Sequence, residues 1–170
     1  MKLTQHKKYL TQHKISPVNF ALLITSDSRT SKTDLTGKTI VKLMRPNKCF
    51  YHEIIKNNLG LIRRKVRKFL TDPRVQLIIT SGGTGCGRHD LTIEAVRSLL
   101  KKEIEGFGEL FRLLSYKEIG STAFMSRAML GITKNGKIIA SLPGSPNAVK
   151  LALTKLLRPE LAHMLWEISR

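Results

Sequence analysis

Two near-continuous apolar runs frame the first half of the chain. VNFALLIT (18–25) and VQLIIT (75–80) are rich in aliphatic residues, have the length of strands and are apolar enough to be covered on both faces. CFYHEII (49–55) alternates weakly and reads as a further strand. Between them LTGKTIVKLM opens a helix that Pro46 stops. Residues 58–70 place Leu61, Ile62, Val66, Phe69 and Leu70 at helical spacing, and Asp72-Pro73 ends that run. IEAVRSLL (93–100) resumes the helical period, which continues from Glu103 to Leu130 through IEGFGELFRLLSYKEIG and TAFMSRAML. Asn135-Gly136 between short apolar runs in GITKNGKIIASL predicts a tight hairpin. Ser145 and Pro146 predict the N-cap and first position of a last helix through NAVKLALTKLL. This alternation predicts an α/β fold, with a mainly parallel central sheet, helices on both faces and a hairpin toward the C-terminus.

Composition narrows the picture. A chain of 170 residues with 41% hydrophobic residues is sufficient for one domain, read here as 17–170 behind a polar, basic arm at 1–16. No apolar run has the length of a membrane span, and MKLTQHKKYLTQHK lacks the apolar stretch and cleavage site of a signal peptide. The expectation is a soluble, cytoplasmic protein. The net charge of +18 raises nucleic acid, an anionic membrane or a phosphorylated ligand as partners. The densest basic cluster, RRKVRK, falls on the 58–70 helix and reads as its solvated face. No zinc-finger spacing, RNP signature or basic heptad accompanies it, so nucleic acid is not the expected partner. Cys49, Cys86 and five scattered histidines lack metal-site spacing, and no structural metal is expected.

Three polar loops carry the candidate chemistry. TSGGTGCGRHD (80–90) follows a strand and precedes a helix, where glycines let backbone N–H groups approach an anion and Ser81 and Thr84 add hydroxyls. Neither GxxxxGK[ST] nor GxGxxG is present, so the glycines alone fit a phosphate cradle or a generic tight turn. Asp90 either caps the next helix or holds a divalent cation beside phosphate. SLPGSPNAV (141–149) offers Gly144 and Ser145 at a second helix start, and TSDSRTSKTDLTGK (25–38) a third polar corner. In an open parallel sheet such loops converge at the carboxyl ends of the strands.

TSDSRT with DLTGK, LIITSGGTG followed by DLTxEA, EGFGELFRLLSYKEIGSTAFMSRAMLGI and LPGSPNAV together resemble the MoaB/MogA family of molybdenum-cofactor biosynthesis proteins, from about Val18 to about Leu165. The segment EGFGELFRLLSYKEIGS resembles the MoaB branch. The resemblance implies a three-layer α/β/α molybdopterin-binding fold assembled as a trimer or a hexamer. It also implies molybdopterin adenylyltransfer, in which ATP and Mg²⁺ place AMP on the terminal phosphate of molybdopterin and release pyrophosphate. A later-acting metal-insertion protein would then be a partner. By position, Gly82, Gly83, Thr84 and Gly85 match the pterin-phosphate loop and Asp90 the carboxylate that serves the Mg²⁺-nucleotide and catalysis. Ser26 and Asp27, with Asp34 and Gly37, match the first loop. Ser126 and Arg127 match the S-R pair, and Gly144 and Ser145 the third loop. The chain departs from the family pattern at His89, preceded by Arg88, and at Ile93. It departs most at Asn57, which occupies the position of a second acid in active members. A non-catalytic molybdopterin-binding protein of the same fold is therefore the alternative expectation.

Overall fold

The computed structural model describes residues 17–170, and the expected basic arm at 1–16 lies outside them. Alternate residues of β1 (Asn19–Thr25) feed two separate cores: Phe20, Leu22 and Ile24 on one face, Ala21 and Leu23 on the other. The chain continues as α1 (Leu35–Leu43), β2 (Lys48–Ile55), α2 (Leu59–Thr71), β3 (Leu77–Ser81), α3 (Thr92–Arg97) and β4 (Leu100–Glu103). It then forms α4 (Glu105–Ile119), a 3₁₀ turn (Gly120–Met125), β5 (Met129–Thr133), β6 (Ile138–Leu142) and α5 (Pro146–Ala152). A π turn (Leu153–Leu157) precedes α6 (Arg158–Ser169), beside Pro159, whose ring removes a donor from the ladder.

The strands form one sheet in the order β2-β1-β3-β6-β5-β4. β1 pairs in parallel with β2 and β3, and β3 with β6; β5 runs antiparallel to both β6 and β4. Ile40 and Met44 at α1, Phe107 and Phe111 of α4, and Val149 of α5 cover the Phe20 face. Ile62, Val66 and Phe69 of α2 and Ile93, Ala95 and Val96 in and around α3 cover the other. Each fully buried aliphatic or aromatic side chain contributes about 1.5–3 kcal/mol. The expected three-layer α/β/α arrangement is thus realised. After β1 the chain leaves to one side, through α1 to β2, and then crosses to β3 through α2 on the opposite face. This makes β1/β3 the topological switch point.

The structure corrects the helical reading of two segments. The helix expected over 93–100 stops at Arg97, and Leu100 opens β4, a short edge strand whose sequence LKKE has no apolar period. The helix expected through TAFMSRAML is a 3₁₀ turn followed by β5 from Met129. Gly120, at φ +65°, ends α4, and pairing of Met129 with Ser141 draws the following residues into the sheet. The hairpin itself turns at Asn135-Gly136, with Gly136 at φ +73°.

Candidate functional site

β1, β3 and β6 lie side by side and point the same way, so the loops after Thr25, Ser81 and Leu142 leave one edge together. Side chains then lock the loops to one another. Arg29 Nη2 and Thr36 Oγ1 both donate to the Gly144 carbonyl, each at 2.7 Å, joining the first loop and α1 to the third loop. Ser81 Oγ donates to the Pro143 carbonyl at 2.8 Å, and Gly82 N to the Leu142 carbonyl at 3.1 Å. Buried Asp34 caps α1 by accepting from Gly37 N, and His52 Nε2 holds its other oxygen at 2.9 Å. Thr25 Oγ1 donates to the Gly82 carbonyl at 2.6 Å and meets Thr92 Oγ1 at 2.9 Å.

These joints enclose a cavity of about 500 Å³. Its walls include Ser26, Gly82, Gly83, Thr84, Gly85, Asp90, Ser126, Arg127, Gly144 and Ser145, all anticipated from the sequence, together with Asn57. Four anticipated residues stand outside the lining, two of them Asp34 and Gly37, which meet in the cap of α1. Ser81 is fully buried and spends its hydroxyl on Pro143, while Asp27 accepts a hydrogen bond from Asn57 N at 3.0 Å. Thr25, Ser28, Arg29, Thr122, Met125 and Pro143 join the lining without having been singled out. Arg29 sits inside the polar first loop, where its charge was the available signal. Thr122 and Met125 gave none, because the 3₁₀ turn that presents them read as helix.

The chemistry of the cavity is set by backbone donors. The N–H groups of Gly83, Thr84 and Gly85 find no acceptor among the described residues, although Gly83 stands at φ +59° and all three line the cavity. Consecutive free N–H groups form a concavity suited to an anion such as phosphate. Ser145 Oγ accepts from Ala148 N at 3.3 Å and caps α5 as expected, and Ser26 Oγ accepts from Arg29 N at 3.2 Å.

Asp90 supplies the negative charge. Its Oδ2 accepts from Gly87 N at 2.9 Å, and Leu91, with no side-chain capping bond, is the N-cap of α3. Asp90 therefore shapes its own loop and does not cap the helix. Arg127 braces both ends of that loop. Its Nε donates to the Thr84 carbonyl at 2.8 Å, Nη2 donates to the Asp90 carbonyl at 3.2 Å, and Nη1 pairs with Glu94. The Arg127 guanidinium holds the Glu94 carboxyl below the usual carboxylate range. Asn57 Oδ1 is buried without a hydrogen-bond donor. Glu53, a neighbouring acid, is committed to Lys65 at 2.6 Å.

A larger cavity, about 710 Å³, opens at the opposite edge beside the β5–β6 turn and α6. It holds none of the glycine-loop donors, and its walls carry Lys101, Lys102 and Lys134 around an apolar floor. The loop cavity is the better site because its polar groups converge.

A family model described as a probable molybdopterin binding domain matches residues 21–163. The chain belongs to the MoaB/MogA family of molybdenum cofactor biosynthesis proteins. Within that family it is similar to molybdenum cofactor biosynthesis protein B of Staphylococcus aureus (strain MRSA252), 47% identical over 158 residues that cover 90% of this chain and 93% of the relative. The protein B of Bacillus cereus (strain ATCC 14579) is 42% identical over 173 residues, covering 100% of this chain and 99% of the relative. Among solved structures, a molybdenum cofactor biosynthesis protein B, 42% identical, superposes with a TM-score of 0.87 and covers 91% of this chain and 98% of its own. The tungsten cofactor synthesizing protein MoaB from Pyrococcus furiosus, 29% identical, gives 0.83 and covers 92% and 99%. The MoaB/MogA fold and a role in molybdenum cofactor biosynthesis follow for this chain.

Proposed function

We propose that this MoaB/MogA-family protein binds molybdopterin through its terminal phosphate and transfers AMP to it from ATP. The observation that carries the reading is the row of unpaired N–H groups at Gly83, Thr84 and Gly85 on the cavity wall beside the Asp90 carboxylate. The amides and the Thr84 hydroxyl hold and orient the phosphate, and Arg127 keeps their loop in shape. A Mg²⁺ ion fits this donor set. No group of three or more His, Cys, Asp or Glu side chains forms a cage among the described residues, whereas Mg²⁺ is commonly held by one or two carboxylates and substrate phosphates. Asp90 would hold it, and when bound it offsets the negative charge of the two phosphate groups. Use of ATP would suit a cytoplasmic protein, and its adenylylated product would pass to a later-acting metal-insertion protein.

Incubating the purified protein with molybdopterin, Mg²⁺ and α-labelled ATP tests the reading: label should appear on the pterin. Pterin binding without label transfer at any Mg²⁺ concentration would instead support the binding-only alternative, which the neutral amide of Asn57 favours.

Asn57 gives that alternative its own test. A carboxylate at 57 would add charge for the cation, so Asn57→Asp is expected to lower the Mg²⁺ concentration needed for transfer and to raise weak turnover. The same change places a charged oxygen where the buried Oδ1 has no donor, and should cost about 1–3 kcal/mol of stability without Mg²⁺. Mg²⁺ titration of label transfer and melting with and without Mg²⁺ check both effects. Robust wild-type turnover at sub-millimolar Mg²⁺, unchanged in the variant, would show that the missing charge does not matter.

Assembly belongs to the same reading. Leu110, Leu113, Tyr116 and Ile119 of α4 are exposed, and Phe124 beyond them is 74% exposed. Met125, in the same apolar strip, also lines the loop cavity. Such a patch suits contact with further copies of the chain, as a trimer or hexamer. Light scattering at micromolar protein should give three or six times 19.2 kDa, and Phe124→Asp should shift the mass downward. A monomeric wild-type mass would remove this part of the reading.

A further inference from the structure

The Arg29 side chain borders two concavities. One is the loop cavity; the other, about 530 Å³, is walled by Arg29, Thr30, Ser31, Lys38, His52 and Ile54. Among the described residues, no carboxylate lines this second space. Asp34, the nearest acid to His52, is buried and already bonded to His52 and Gly37 N. Lys38 Nζ reaches the Lys32 carbonyl at 3.0 Å and has no ion pair among the described residues. Among the described residues, only one of the Arg29 guanidinium N–H groups is engaged, by the Gly144 carbonyl. The concavity behind Arg127 differs in this respect. There Arg97 and Arg112 stand among Glu103, Glu105 and Glu109, so the signs nearly cancel. A site that must receive a highly charged anion beside a bound phosphate needs unneutralised cations close by, and only the Arg29 side offers them.

We infer that the concavity of Arg29, Lys38 and His52 binds the β- and γ-phosphates of the nucleotide and then the departing pyrophosphate, with Arg29 as the shared cation between it and the pterin phosphate. The inference rests on the adenylyl-transfer reading. In the transfer, an oxygen of the molybdopterin phosphate forms a bond to the α-phosphorus. The bond from that phosphorus to the β-bridging oxygen breaks, and pyrophosphate leaves with its electron pair. The phosphate monoester reacts as its dianion, so no proton has to move. Lys38 and Arg29 hold the leaving group by charge-assisted hydrogen bonds on the far side of Arg29 from the glycine loop.

Calorimetric titration with inorganic pyrophosphate, with a non-hydrolysable ATP analogue and with molybdopterin tests this on the full chain. Lys38→Glu should weaken pyrophosphate and the ATP analogue by about tenfold or more, and molybdopterin by less than about twofold. Arg29→Ala should weaken pyrophosphate and molybdopterin together. Lys68→Glu on the exposed face of α2 controls for net charge and should leave all affinities within about twofold. Lys38→Gln, which removes the charge without reversing it, guards against a local folding defect. On the wild type, pyrophosphate should displace the ATP analogue. Equal pyrophosphate affinity in wild type, Lys38→Glu and Lys38→Gln overturns the inference while leaving adenylyl transfer standing. A wild type that binds molybdopterin but neither pyrophosphate nor the ATP analogue overturns both.

Discussion

Asp90→Asn should leave the protein folded and reduce adenylyl transfer by about 100- to 1,000-fold. The substitution keeps an oxygen in reach of Gly87 N, the one hydrogen bond that the side chain accepts, so the loop has little reason to change shape. Because Leu91 is the N-cap of α3 and makes no side-chain capping bond, no helix cap is lost. What disappears is the only negative charge of the cavity lining among the described residues, and with it the carboxylate that Mg²⁺ requires between two phosphate groups. Molybdopterin affinity, which depends on the Gly83–Gly85 amides, should hold or rise slightly as a repulsive charge is removed. Label transfer, pterin titration and thermal melting together decide the matter. A variant that melts early but retains the specific activity of its folded fraction would reduce Asp90 to a loop strut.

Gly82→Ala should be worse for the fold, by about 3 kcal/mol or more. Gly82 stands at φ +94°, and a methyl group there would collide with the Thr25 carbonyl oxygen, a backbone atom at the end of β1. Neither strand can yield easily. Gly82 N is bonded to Leu142, and its carbonyl is held by Thr25 Oγ1. The three central strands would therefore be pushed apart where their loops converge. Denaturant titration measures the loss. Gly106→Ala is the control: apart from its chain neighbours and its own helix backbone, no atom lies within 4 Å of the added methyl, and the position is in the first turn of α4, so stability should stay level or rise by about 0.5–1 kcal/mol. Similar losses from both substitutions would mean that the constraint at Gly82 is imaginary.

Much of this architecture is legible in the chain because its central strands are buried on both faces and three of its helices are capped locally, by Asp34, Asn58 and Ser145. VNFALLIT and VQLIIT needed no context, and Ser145 and Asn135-Gly136 act on their immediate neighbours. β4 was hidden for the opposite reason: three of the four residues of LKKE are exposed, and only pairing with β5 makes them a strand. Met129 and Leu130 read as helix because apolar residues of a buried strand and of a buried helix look alike over so short a run. At the site, the glycine loop and its two partners could be named from sequence, since each follows a strand and opens a helix. The inward turn of Ser81 could not, because a side chain's face at the last strand residue depends on register with β6. Nor could the orphaned Asn57 oxygen, which Gly83 approaches closely from a distant part of the chain.

The Gly144 carbonyl takes hydrogen bonds from both Arg29 and Thr36, so two loops far apart in the sequence share a single hinge pin. Neither can swing away from the cavity without breaking a bond that the other also strains. Local opening of the site is then a cooperative event of the whole rim. Beside the bonds from Ser81 to Pro143 and from Gly82 to Leu142, the frequency of that opening depends on one peptide oxygen that no side-chain substitution can delete.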